Sequence, residues 1–263
     1  MPKPVLSQRE LRRYRKQIMI PEIGAEGQAK LKKASVLVVG AGGLGCPVLQ
    51  YLVAAGVGRV GIVEFDMVGE ENLQRQILYG SNDVGKLKSI IARERLEHLN
   101  SLVSLELINL KIGASNALSV MKDFDLVVDA TDNLETRYVL NDSCVILNKP
   151  LVHGAIYKYE GQVSVFNYKG GPTYRCYNPE TKNRKPRNPA PSEVGIVGVL
   201  PGITGTYMAC EAIKVIIERG RILSGKVLLF NIMENSFYIL SVRNIPENHN
   251  IKEIGAVPNP ENK

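Results

Sequence analysis

Hydrophobic positions in this chain fall into short unbroken runs and longer stretches of helical spacing. The run in ASVLVVGAGGLG (residues 34–45) has no polar face, as expected of a parallel strand covered on both sides, and it ends in glycines that open an apolar helical stretch. Similar runs stand in RVGIVEFD (59–66), VSLELINL (103–110) and FDLVVDATDN (124–133), the last leading into a helix over about 133–147. Residues 8–18 and 25–33 read as two basic amphipathic helices ahead of the first strand. PLVHGAIYKYEGQVSVFNY (150–168) changes style, to two strands about a glycine turn, which predicts an antiparallel pair. A long helix follows over IVGVLPGITGTYMACEAIKVIIERG (196–220), then two strands in KVLLFNI and SFYILSV.

Strand and helix therefore alternate over the first 150 residues, which predicts an α/β fold. The expected architecture is a Rossmann-like doubly wound sheet, parallel in its first half and extended by antiparallel strands, in one domain. N-terminal helices occupy 1–34, the domain 35–245, and a tail 246–263 whose end, VPNPENK, is expected to be disordered. A proline-rich crossover loop runs over about 171–195. A loop that long inside a compact domain is usually functional or mobile.

Composition narrows the classes. With 263 residues, 44% hydrophobic and 22% charged, the chain can bury a sizeable core. No apolar run approaches the ~20 residues of a membrane span, and the N-terminus lacks a secretory signal, so a cytoplasmic protein with no membrane partner is expected. Cys46, Cys144, Cys176 and Cys210 are scattered without a CxxC pair, against a disulfide framework or a zinc knuckle. Three of them lie in apolar helical patterns and read as buried thiols; Cys176 lies in a polar loop. The net charge of +7 suits an anionic ligand, an acidic partner or nucleic acid, and is concentrated in RRYRK near the start and KNRKPR at 182–187. A solvated surface is the plain alternative for both.

The glycine turn carries the first chemistry. Gly40, Gly42 and Gly45, with Gly43 between, match GxGxxG after a strand and before a helix, where backbone can approach phosphate and unpaired N–H groups face it. Glu64 ends the next strand and places a carboxylate where ribose hydroxyls can donate, with Asp66 as a fallback. Alone, this fits an NAD-dependent oxidoreductase; the absence of GK[ST] excludes a Walker loop. The following residues shift the balance. Asn72, Arg75 and Gln76 in ENLQRQ and Lys88 in VGKLKS supply cations and polar groups that a triphosphate needs and a dinucleotide does not. Asp132 in DATDN lies in the turn after the fourth strand, where one carboxylate can hold Mg²⁺ against phosphate oxygens. Asp132 and Asn133 are also both helix N-cap residue types.

Taken in order, GAGGLG, ENLQRQ, VGKLKS, DATDN with Arg137, EGQVSVF, YRC and GVLPGITG resemble the ThiF/MoeB/HesA family, relatives of the adenylating half of ubiquitin-activating enzymes. The resemblance runs from RYRKQI to FNIMENSFYILSV, nearly the whole chain. It implies ATP- and Mg²⁺-dependent adenylation of the C-terminal glycine of a ubiquitin-fold sulfur carrier ending in Gly-Gly, in thiamine or molybdopterin biosynthesis. In those terms Gly40, Gly42, Gly43 and Gly45 support the α-phosphate side and Glu64 holds the ribose. Arg75 and Lys88 neutralise charge on the transferring and leaving phosphates. Asp132 holds Mg²⁺, while Asn72, Gln76 and Asn133 position the nucleotide. A tRNA-modifying branch of the family is a second reading, favoured by the charge and by KNRKPR.

Three departures from the family pattern matter. Glu64 stands where relatives usually carry Asp. Lys16 occupies the slot of an arginine that reaches across a homodimer interface to the partner's ATP, so Lys16, or Arg15 or Arg13 beside it, is the expected finger. The zinc-binding CxxC pairs align with Thr173 and Cys176 and with NHNIKEIG, which leaves one thiol and predicts no zinc. In addition Pro191 stands where thioester- or persulfide-forming relatives place a cysteine. The expected reaction is therefore adenylation without the usual catalytic cysteine, with Cys176 read as a vestige of the metal site.

Overall fold

The computed structural model describes residues 5–179 and 195–255. Helix α1 (Gln8–Arg13) starts at a reciprocal cap: the Ser7 side chain accepts the Glu10 N–H, and the Glu10 carboxylate accepts the Ser7 N–H at 2.6 Å. The single helix expected over 8–18 is broken at Tyr14, whose ψ of 12° is non-helical, and α2 (Arg15–Ile18) follows as a separate turn. Tertiary packing overrides the helical pattern here. The Tyr14 ring is buried against Gly56, and its hydroxyl accepts the Asn100 Nδ2–H at 2.9 Å. Helix α3 (Gly24–Lys33) leads into the sheet.

The remaining elements run β1 (Ser35–Val39), α4 (Gly45–Ala55), β2 (Arg59–Val63), α5 (Lys88–Leu99), β3 (Ser104–Ile108), α6 (Ala117–Met121) and β4 (Leu126–Asp129), with the strands in the expected order. Then come α7 (Leu134–Ile146), β5 (Leu151–Tyr157), β6 (Glu160–Phe166), α8 (Tyr174–Tyr177), α9 (Val199–Ile217), β7 (Lys226–Asn231) and β8 (Ser236–Ser241). The sheet order is β3-β2-β1-β4-β5-β6-β7-β8. Strands β3 to β5 pair in parallel and β5 to β8 antiparallel, so the parallel half runs one strand beyond residue 150. The chain crosses from β3 at one edge back to β4 beside β1. This reversal opens a crevice at the carboxyl ends of β1 and β4, the place where doubly wound sheets take ligands.

Both faces of the central strands are covered. One core packs α4, α5 and α9 through Leu49, Leu52, Leu96, Met208 and Ala212 onto Val36, Val38 and Ile62. The other packs α6, α7 and α8 through Met121, Leu140, Cys144 and Tyr174 onto Leu37, Val127 and Phe166. Strand β8 is an edge, and its Phe237, Tyr238, Ile239 and Leu240 are all exposed. Residues 246–255, assigned from sequence to a tail, fold back on the domain: Ile251 is buried, and the Gly255 N–H donates to Asp142 at 3.0 Å. The terminal VPNPENK, the basic run 182–187 and Pro191 lie outside the described residues.

Candidate nucleotide site

The glycine turn begins where β1 ends. Gly40 has a φ of +95°, and a Cβ on it would lie 2.8 Å from the Ala130 carbonyl oxygen, so the turn needs glycine for both conformation and space. A Cβ on Gly45 would overlap the Gly40 carbonyl oxygen, which is why α4 can start so close behind the strand. Gly40, Gly42 and Gly43 line a cavity of about 290 Å³; Gly45 closes the turn behind them and is not part of the wall.

Glu64 is buried at the end of β2 and does more than face the cavity. Its Oε2 accepts the Ala41 N–H at 2.9 Å, and its Oε1 accepts the N–H groups of Phe65 and Asp66 at 2.8 and 2.9 Å. The carboxylate expected from sequence to hold a ribose is thus also the group that fixes the glycine turn. Asp66 is exposed and lines the same cavity, 3.4 Å from the Lys88 amine.

The cations come from one long connection between β2 and α5. Arg75 follows a 3₁₀ turn (Glu70–Asn72) and lines the cavity, its guanidinium tied to the Glu71 carbonyl at 2.9 Å. Asn72 is not in the wall: its carbonyl accepts the N–H groups of Arg75 and Gln76, and its side chain closes the 3₁₀ turn. Gln76 is buried in the wall beside Gly42, and its Oε1 has no partner among the described residues. Lys88 opens α5, is buried, and lines the cavity.

The opposite wall is the turn after β4. Asn133, not Asp132, caps α7, accepting the Thr136 N–H at 2.9 Å. The capping alternative for Asp132 is thereby removed. Its carboxylate is exposed at the cavity, with no hydrogen bond or ion pair among the described residues. Sequence reasoning missed Lys111, Thr131 and Thr136, which also line the cavity, and the buried pair beneath it, Asp129 and His153, 2.8 Å apart. The signal for the pair was a histidine in the otherwise apolar LVHGAIY. Burial pushes the Asp129 carboxyl up, but the His153 bond, Arg137 and Thr131 outweigh it and hold the group below its ordinary range.

Lys16 does not line this cavity. It lies exposed on α2 with Arg15, whereas Arg13 is bonded to the Leu99 carbonyl. The cysteines divide differently than expected. Cys46 is buried behind the turn and burial pushes its thiol up to about 12; Cys144 is buried and also raised by desolvation. Cys210 is exposed, because α9 turns Thr206, Tyr207 and Cys210 outward while its other face covers the sheet. Cys176 sits on α8 rather than in a loop. Its sulfur accepts the Ile245 N–H at 3.4 Å and the Asn248 Nδ2–H at 3.5 Å, with Thr173 Oγ1 at 3.4 Å. The segment facing it is therefore 244–248, mostly upstream of NHNIKEIG. These neighbours are amide and hydroxyl groups, a donor set that does not fit zinc.

Comparison with known proteins bears on what such a cavity serves. The model of the ThiF family matches residues 14–252. A sulfur carrier protein adenylyltransferase of Thermus thermophilus is 51% identical, across 90% of this chain and 89% of that protein. A probable molybdopterin-synthase adenylyltransferase of Porphyra purpurea is 46% identical, across 87% of this chain but 60% of that protein. An adenylyltransferase and sulfurtransferase MOCS3 of Culex quinquefasciatus is 46% identical, across 90% of this chain and 54% of that protein. The chain thus spans little more than half the length of the last two. Among solved structures, E. coli MccB with MccA-N7isoASN superposes with a TM-score of 0.80 at 21% identity, over 94% of this chain and 75% of that one, a likeness of fold.

Proposed function

The chain belongs to the ThiF family, and from that premise we propose that it is the adenylyltransferase of a sulfur-carrier protein. It activates the C-terminal glycine carboxylate of a ubiquitin-fold carrier with ATP, and releases pyrophosphate. The observation that carries this reading is one cavity that gathers the glycine turn, Arg75, Lys88 and an uncommitted Asp132 from three separate connections.

The chemistry follows from those groups. A carrier carboxylate oxygen attacks the α-phosphorus, a new C(O)–O–P bond forms, and the bond to the β-phosphate breaks with its electron pair leaving on pyrophosphate. No general base is required, because a carboxylate is ionised near neutral pH. Catalysis reduces to alignment and to stabilising charge on the leaving oxygens. Lys88 and Arg75 stand on the wall where that charge would develop, with the Gln76 side chain in the same wall. Glu64 keeps the turn in shape and, lining the cavity, would accept from ribose hydroxyls. Asp132 is the residue that would hold Mg²⁺, whose chemistry is to screen the triphosphate.

A protein substrate is further supported by the exposed apolar strand β8, since a patch of that kind commonly marks a contact surface. Lys16, standing outside its own cavity, fits a finger that serves the partner's site in a homodimer. With Pro191 in place of the usual nucleophile and the Cys176 sulfur accepting the Ile245 and Asn248 N–H groups, the adenylate would form without a covalent carrier–enzyme intermediate and without zinc. ATP–pyrophosphate exchange tests the reading: it should require a carrier ending in Gly-Gly and vanish when those glycines are deleted. Exchange unaffected by the deletion would overturn it, and a stoichiometric zinc signal in elemental analysis would overturn the zinc-free assignment.

A further inference from the structure

His153 on β5 is 1% exposed, its ring centroid 4.9 Å from that of Tyr174 and 5.8 Å from that of Phe166. Its Nδ1 lies 2.8 Å from Asp129 Oδ2. The ionised carboxylate can only accept, so Nδ1 carries the proton and donates. Burial pushes the imidazole down against the pull of Asp129, in keeping with a neutral ring. Nε2 is buried and meets no partner among the described residues. A buried histidine with one unmet nitrogen carries a desolvation cost, which the bond of its other nitrogen to Asp129 offsets.

That bond is one of several that Asp129 makes. Its Oδ1 accepts the Thr131 N–H at 3.0 Å and the Thr131 hydroxyl at 2.6 Å. Arg137 closes the same turn from α7, donating to the Thr131 carbonyl at 2.9 Å, with its Nε 3.9 Å from Asp129 Oδ2. Asp132 is the next residue in that turn. The β4–β5 register sets Asp129 opposite His153, so among the described residues Oδ2 without the histidine would be left with only the distant Arg137 Nε.

We propose that His153 is a positioning residue of the nucleotide site: by fixing the Asp129 carboxylate, it holds the Thr131–Asn133 turn, and with it Asp132 and Arg137, in the geometry that receives a metal-bound triphosphate. The proposal rests on the reading of this cavity as an ATP site. Its test is equilibrium binding rather than turnover. Calorimetric titration of the full chain with α,β-methylene-ATP, with and without Mg²⁺, would compare wild type with His153→Leu and His153→Asn, their folding checked by circular dichroism. Loss of an outer partner of this kind typically costs about 10- to 100-fold. His153→Leu should lose about that much Mg²⁺-dependent affinity, while His153→Asn, whose Nδ2–H can still reach Asp129, should stay close to wild type. Should the leucine variant fail to fold, His153→Phe keeps a ring in the aromatic cluster without the donor and carries the same expectation. A folded leucine or phenylalanine variant that binds like wild type overturns the proposal, as does an asparagine variant as weak as these. A wild-type chain that does not bind the analogue at all overturns the ATP reading itself.

Discussion

The Oε2 of Glu64 accepts the N–H of Ala41 at 2.9 Å, tying the end of β2 to the turn that follows β1. With the Phe65 and Asp66 N–H groups on Oε1, one carboxylate satisfies three backbone donors. Glu64→Ala would strand the buried Ala41 N–H, and a stranded group costs about 1–3 kcal/mol. The variant should therefore lose stability of about that size in urea unfolding, as well as nucleotide affinity. An unchanged urea midpoint would mean that Glu64 serves the ligand alone.

Asp132→Ala should abolish ATP–pyrophosphate exchange while leaving the thermal midpoint near wild type, because among the described residues the carboxylate makes no bond that folding would lose. Lys88→Ala should lower exchange by about 10²- to 10³-fold, the usual effect of removing one group that stabilises developing charge. Exchange by the Asp132 variant within a few-fold of wild type would sink the Mg²⁺ assignment.

If Lys16 acts across a two-fold interface, two dead variants should rescue one another. Lys16→Ala and Asp132→Ala, each inactive alone, would form mixed dimers with one intact site. Random subunit exchange in a symmetric dimer would then return about a quarter of wild-type activity. No recovery after demonstrated subunit exchange would place the finger elsewhere, with Arg15 the next exposed candidate on α2.

Stability should fall on mild acidification. Burial pushes His153 below its ordinary value of 6.5, so the folded chain resists a proton that the unfolded chain takes up. The unfolded state then binds more protons, and stability rises with pH across that window and is lost as pH drops below it. Asp129, held below 3.8, adds its own loss only in stronger acid. The urea midpoint of wild type should therefore decline between pH 7 and pH 5.5, about the range where an ordinary histidine titrates, and His153→Leu should flatten the decline. Equal slopes would show a ring that protonates freely in the folded chain.

The sequence by itself determined the strands and the shape of the glycine turn. Unbroken apolar runs such as VLVV require cover on both faces, and glycines at positions 40 and 45 admit a conformation and a backbone approach that other residues refuse. It also placed Arg75, Lys88 and Asp132 in the connections that follow those strands. What only the tertiary structure decided depends on contacts between distant segments. The break at Tyr14 follows from Gly56 and Asn100; the outward turn of Cys210, from which face of α9 meets the sheet. Asn133 takes the cap and leaves Asp132 free, a choice between two neighbours with the same propensity. The pairing of His153 was illegible because its partner Asp129 is 24 residues away, and only the β4–β5 register sets the two side by side.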